Sequence, residues 1–193
     1  MTILLKRGVL VALSLTVMAS FAFSQDKKDE KEFAYVGAKK CMPCHMNPKK
    51  GAQYKHWQST KHSEAYKTLG TDEAKKVAAK AGVEGNPQEA TECLKCHVTG
   101  NEAADELKTE KYDMSDGVEC ETCHGPGSAY WKMPVMMGIS KGTMEASEYG
   151  LTIKPGKETC VECHNENNPT QTEPFDFEKM YPKVAHPNPQ NQG

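Results

Sequence analysis

Apolar positions are sparse along this chain, and only one run of them is long. Gly8 to Phe23 is largely apolar, with Lys6 and Arg7 before it and the small-x-small triplet Ala22-Phe23-Ser24 at its end. A positive start, a short apolar stretch and a small-residue cleavage pattern together read as a secretory leader. The run is short for a membrane span of about 20 residues. The expectation is a removed leader, residues 1–24, followed by one domain, 25–193. No cysteine lies near the cleavage triplet, so no lipid anchor is expected. No second long apolar run follows, so the chain does not read as an integral membrane protein.

The rest of the pattern predicts short helices and irregular connections. Residues 25–35 are charged and read as a loose lead-in. Tyr54, Trp57, Ala65 and Leu69 recur at helical spacing across Gln53 to Leu69. Asp72 to Gly82 reads as a helix, with Thr71 or Asp72 as its N-cap and Gly82 as its stop. Asn86-Pro87 breaks the pattern, and Glu102 to Glu110 reads as a short helix or a charged loop. Tyr130 to Met137 is apolar and methionine-rich, and Pro134 argues against one regular helix there. The segment from Asn167 onward carries Pro169, Pro174, Pro182, Pro187 and Pro189, and reads as a wrapping tail with one helical piece, Phe175 to Tyr181. No segment shows the alternation of a strand. The expected class is mostly α with much irregular structure.

Composition sharpens this. Removing 24 residues from 193 leaves 169, only 7% of the chain is aromatic, and its mean hydropathy is −0.69. A chain like this builds a small side-chain core. Removing Lys6 and Arg7 takes the formal charge from −2 to −4. A net acidic chain disfavours nucleic acid as a partner.

The cysteines change the picture most. All eight fall in four copies of one pentapeptide: Cys41, Cys44 and His45; Cys93, Cys96 and His97; Cys120, Cys123 and His124; Cys160, Cys163 and His164. C-x-x-C-H is the attachment signature of c-type haem. The two thiols add across the two vinyl groups of one haem, and the histidine ligates the iron from the proximal side. A disulfide framework needs no histidine after every second cysteine. Neither does a zinc ribbon. A thioredoxin-like CxxC would be single and would follow a strand. The expected cofactors are four covalently bound haem c, and their porphyrins would supply the apolar mass the side chains lack. Gly125-Pro126-Gly127 forces a turn directly after the third motif and brings backbone close to the ring.

Four irons have eight axial positions, and the motifs fill four. The chain has seven histidines, which leaves His56, His62 and His186. At most three haems are then bis-histidine within one chain. At least one iron is five-coordinate, methionine-ligated, or ligated by a neighbouring molecule. His62 and His186 are the distal candidates, against a surface role. His56 lies six residues before His62, so the two project differently on a helix. It is a candidate ligand, in this chain or for a neighbour's haem, or a solvent-exposed residue. Met133, Met136 and Met137 are thioether candidates, with Met133 the foremost; the other reading is soft packing against a porphyrin face.

These residues resemble the tetrahaem cytochrome c-554 family of multihaem c-type cytochromes. The likeness runs through GAKKCMPCH, W-x-x-S-x-H from Trp57, ECLKCHVTG, GVECETCHGPG, the fourth motif and a late histidine, over about residues 36 to 190. It implies a compact, mostly helical fold organised around four haems, some stacked and some perpendicular. It implies that His62 serves the fourth haem, that His186 serves the third, and that the second haem, on His97, is five-coordinate. The family places another distal histidine about ten residues after the third motif, where this chain has Met133 and Pro134.

The expected function is an exported electron carrier, periplasmic or extracellular, which passes electrons between redox partner proteins by hopping from haem to haem. No side-chain catalytic constellation accompanies the motifs, so no enzyme activity is expected. Two alternatives stand beside this: reduction of a small nitrogen compound such as nitric oxide at an open iron, and a homo-oligomer or extracellular filament.

Overall fold

Hydroxyl side chains divide the Gln53 to Leu69 segment into pieces. Ser59 Oγ donates to the His56 carbonyl at 2.6 Å, and Thr60 Oγ1 donates to the Trp57 carbonyl at 2.8 Å. Such bonds compete with continued helical pairing. One amphipathic segment therefore becomes a helix, a 3-10 turn and a second short helix.

The computed structural model describes residues 32–186. The expected leader, and Pro187 and Pro189 of the tail, lie outside the described residues. The elements are α1 (Ala38–His45), a 3-10 turn (Pro48–Lys50), α2 (Gln53–Gln58), a 3-10 turn (Lys61–Glu64), α3 (Ala65–Thr68) and α4 (Asp72–Lys80). Next come α5 (Thr91–His97), 3-10 turns at Asp105–Leu107 and Met114–Asp116, α6 (Cys120–His124) and α7 (Met133–Ser140). The chain continues with a 3-10 turn (Ala146–Tyr149), α8 (Lys157–Val161), α9 (Phe177–Met180) and a last turn (Tyr181–Lys183). Among the described residues there is no strand, only an isolated bridge between Tyr35 and Lys108. The protein is mostly helical with long irregular connections, as the patterning indicates. Helices this short are not stable alone in water and depend on packing.

Two elements show how local chemistry sets the boundaries. Thr71 caps α4, accepting from the Ala74 amide at 3.2 Å, and Asp72 and Glu73 complement the positive end of the helix. Pro134 does not interrupt a helix. It lies in the first turn of α7, where its missing N–H has no intrahelical partner to lose. The apolar run Tyr130 to Met137 thus ends in a helix that its proline begins.

The side-chain core is small. Leu69, Leu94 and Val98 form its centre, flanked by Tyr66, Cys93 and Tyr112. It joins the helix of the second motif to α3. Polar anchors do much of the remaining work. The Glu121 carboxylate, 2% exposed, accepts from the Val36 amide at 2.9 Å, the Gly37 amide at 2.7 Å and the Gly127 amide at 2.5 Å. Thr99 Oγ1 accepts from the Glu119 amide at 2.8 Å and donates to the Gly117 carbonyl at 3.1 Å. These bonds hold the segment that enters α1, the second motif and the third motif in one body.

Candidate functional site

Each histidine of the four motifs closes or follows a short helix. His45, His97 and His124 are the last residues of α1, α5 and α6. His164 continues the turn beyond α8, its amide donating to the Cys160 carbonyl at 2.9 Å. In the first three motifs the cysteines are three residues apart on α-helical backbone, so both thiols share one face; in the fourth, Cys160 lies in α8 and Cys163 in the turn that follows it. Among the described residues, no disulfide joins any two of the eight cysteines.

The outer nitrogens of three motif histidines face oxygen atoms. His45 Nδ1 lies 3.2 Å from Gln53 Oε1, His97 Nδ1 lies 2.8 Å from the Ala65 carbonyl and His124 Nδ1 lies 2.6 Å from the Thr152 carbonyl. A carbonyl oxygen only accepts. Nδ1 must therefore carry the proton, and Nε2 presents a bare lone pair, the tautomer that binds a metal.

The remaining histidines come together with these motifs in a definite way. The His62 and His164 rings have centroids 6.1 Å apart, and the His124 and His186 rings 5.7 Å apart. Two imidazoles that bind one iron from opposite faces, each with a metal–nitrogen distance of about 2 Å, put their centroids roughly 6 Å apart. Both pairs match that spacing. Burial lowers the basicity of His62, His124 and His164. It does the same to His186, helped by His124, His56 and His45, and brings it to about 4. Metal ligands must be neutral imidazoles, so the environment suits the role. Among the described residues, neither His45 nor His97 has a histidine ring stacked against it in this manner. His56 sits in α2 with its Nε2 buried and without a hydrogen-bond partner, and His186 Nδ1 is likewise buried and unpartnered. Met133 opens α7 and is 63% exposed, while Trp131 beside it lies 4.4 Å under the Lys40 ammonium of α1.

The motifs themselves are paired. The Cys41 and Cys120 thiols are hydrogen-bonded neighbours, an interaction that, with burial, pushes Cys120 up from its ordinary range. Cys96 and Cys163 are likewise neighbours; burial first, then Cys96, pushes Cys163 up to about 12. Cys123 lies near Cys160 and Cys163, linking the third motif to the fourth. First meets third, third meets fourth, and fourth meets second.

The donor set therefore fits haem. Paired thiols and proximal imidazoles recur four times, two further imidazoles stand at axial spacing, and the small side-chain core needs an apolar partner. A model of the family described as "Cytochrome c554 and c-prime" matches residues 23–125. The chain belongs to the cytochrome c554 family. It is a tetrahaem c-type cytochrome with covalently bound haem c. The matched region holds the first three motifs. This cytochrome is 29% identical over 123 residues to cytochrome c-554 of Nitrosomonas europaea, across 62% of its own chain and 50% of that protein. The match thus spans half the length of that relative. The structure of reduced cytochrome c554 from the same organism superposes with a TM-score of 0.51 at 25% identity, over 79% of this chain and 78% of that one. Among the described residues, no helix is long and apolar enough to cross a membrane.

Three contributors to the site carry no mark in the sequence. Gln53 faces His45, Glu121 occupies a variable position inside the third motif, and Glu119 lies buried just before it. Glutamate and glutamine are usually surface residues, so nothing in their neighbours signals these roles.

Proposed function

We propose that this cytochrome is an exported electron carrier whose mature chain, residues 25–193, is one tetrahaem domain. Each haem, when bound, supplies a one-electron iron couple. Cys41 with Cys44, Cys93 with Cys96, Cys120 with Cys123, and Cys160 with Cys163 would tether the four groups. His45, His97, His124 and His164 would be the proximal ligands. His62 would complete the fourth site and His186 the third, a reading supported by the two ring pairs at 6.1 and 5.7 Å. The first site has two candidates in this chain, His56 and Met133.

The observation that carries the function is the spatial order of the motifs. The chain brings its attachment points together as first, third, fourth and second, with Cys41 beside Cys120, Cys123 near Cys160 and Cys163, and Cys96 beside Cys163. Electron entry at one end and exit at the other, by hopping between adjacent sites, follows from that order. Both ends would meet redox partner proteins. The apolar run ahead of Ser24 supports export to the periplasm or beyond.

The test is a potentiometric titration of the purified holoprotein, followed optically and by EPR, alongside mixing with a small-molecule reductant. Four reversible one-electron steps, with rapid internal equilibration after partial reduction, support carriage. Haems that fail to exchange electrons with one another would sink it. A second reading, reduction of a small nitrogen compound, rests on His97: among the described residues no histidine ring stacks against it, and His56 and Met133 are candidates for the first haem rather than for the second. Turnover of nitric oxide or hydroxylamine would favour that reading.

A further inference from the structure

The outer hydrogen bond at the first motif differs in kind from the others. His97 and His124 direct Nδ1 at backbone carbonyls, whereas His45 directs it at the side chain of Gln53. The orientation of that amide is decided by its other end. Gln53 Nε2 donates to the Lys50 carbonyl, which only accepts. Oε1 must then be the atom that faces His45, and as an acceptor it requires the proton on Nδ1.

The loop that presents Gln53 is built for the purpose. The Asn47 carbonyl accepts from the Lys50 amide at 2.9 Å and from the Ala52 amide at 3.0 Å, and the Asn47 side chain accepts from the Lys49 amide at 2.9 Å. Gly51 has φ +102°, and Ala52 has φ +47°, the one positive φ outside glycine among the described residues. A non-glycine residue held there costs of order 1 kcal/mol or more and persists only where its surroundings impose it. The strained residue immediately precedes Gln53, and it turns α2 so that its first side chain points back at the end of α1.

We infer that Gln53 is a positioning residue that fixes the tautomer and ring plane of His45 and so sets the reduction potential of the first haem. The inference rests on His45 being the proximal ligand of that haem. A stronger acceptor at position 53 draws the Nδ1 proton, makes the imidazole a better donor and favours ferric iron. Removal of the acceptor does the reverse. The backbone acceptors at His97 and His124 hold their rings without this means of adjustment by a side chain.

The test uses mature holoprotein of Gln53→Glu, which is isosteric, and Gln53→Leu, titrated potentiometrically at pH 8 with EPR at each stage. One of the four midpoints should fall in the glutamate variant and the same one should rise in the leucine variant. The expected change is roughly tenfold in that iron's ferric–ferrous equilibrium, at the low end for outer partners of metal ligands, or about 59 mV for a one-electron couple. Midpoints that do not move, that all move alike, or that move in one direction in both variants would overturn the inference. Should Gln53→Leu fail to mature, the isosteric glutamate decides alone. His45→Met separates the two levels. If it leaves all four haem spectra unchanged, His45 is not a ligand and the underlying reading falls. If it alters one haem while Gln53→Glu alters none, only the role of Gln53 falls.

Discussion

The Trp57 indole nitrogen donates to the Val118 carbonyl at 2.9 Å, across 61 residues. The next turn of the chain returns the connection, since the Val118 amide donates to the His62 carbonyl at 3.0 Å. Trp57 and His62 are thus held on one residue, Val118, which leads into the third motif. Trp57→Phe keeps the ring and removes the bond, so a loss of about 0.5–1.5 kcal/mol is expected. Denaturant unfolding of the holoprotein checks the magnitude, and broadening of one low-spin EPR signal would show that His62 has moved with it.

Gly117 allows that approach. It has φ +73°, and a Cβ there would stand 2.8 Å from the His62 carbonyl. Gly117→Ala therefore combines backbone strain with a clash against backbone that cannot rotate away. The expected cost is about 1–3 kcal/mol. A thermal melt of the variant unchanged from the parent would contradict this account of the His62 segment.

Removal of the Glu121 side chain should be worse. Its carboxylate serves the Val36, Gly37 and Gly127 amides together. Glu121→Ala leaves three buried donors unpaired, at about 1–3 kcal/mol for each group stranded. The expected result is poor yield of mature protein, with Glu121→Gln intermediate because one acceptor oxygen remains. Haem content per chain and melting temperature measure both.

Glu119 should make stability depend on pH. It is 4% exposed and one of its oxygens has no partner. Burial first, then the neighbouring Glu121 charge, pushes its carboxyl well above the ordinary value of 4.5. Above 4.5 the unfolded chain has lost this proton while the native state still binds it. The contribution of Glu119 to stability is therefore full at low pH and declines as pH rises from 4.5 toward the raised native value. Glu119→Gln should flatten that decline. Unfolding free energies of the parent and the variant, measured across that range, would refute the assignment if the two slopes coincide.

His62→Ala and His186→Ala should each convert one haem from low-spin to high-spin, and not the same one. EPR of the two single variants and of the double variant checks this; the double should lose two low-spin signals. The ring pairs His62–His164 and His124–His186 motivate it.

What could be read along the chain was what is local. A haem attachment motif needs two thiols and an imidazole within five residues, so its chemistry is complete in one helical turn and visible four times over. The Thr71 cap and the arithmetic of seven histidines are local in the same sense. Pro134 was half legible, because its effect depends on where the helix begins: a proline in the first turn starts a helix, and one further in breaks it. The order of the motifs in space, the anchoring by Glu121, the hydrogen bond from His45 to Gln53 and the ring spacings of His62 with His164 and of His124 with His186, pairings that the family resemblance implied, were decided only in the folded chain. These bring together residues up to about a hundred positions apart, or set apart by a strained turn. Such contacts follow from packing and from the satisfaction of buried polar groups, and these leave no periodic trace in the sequence.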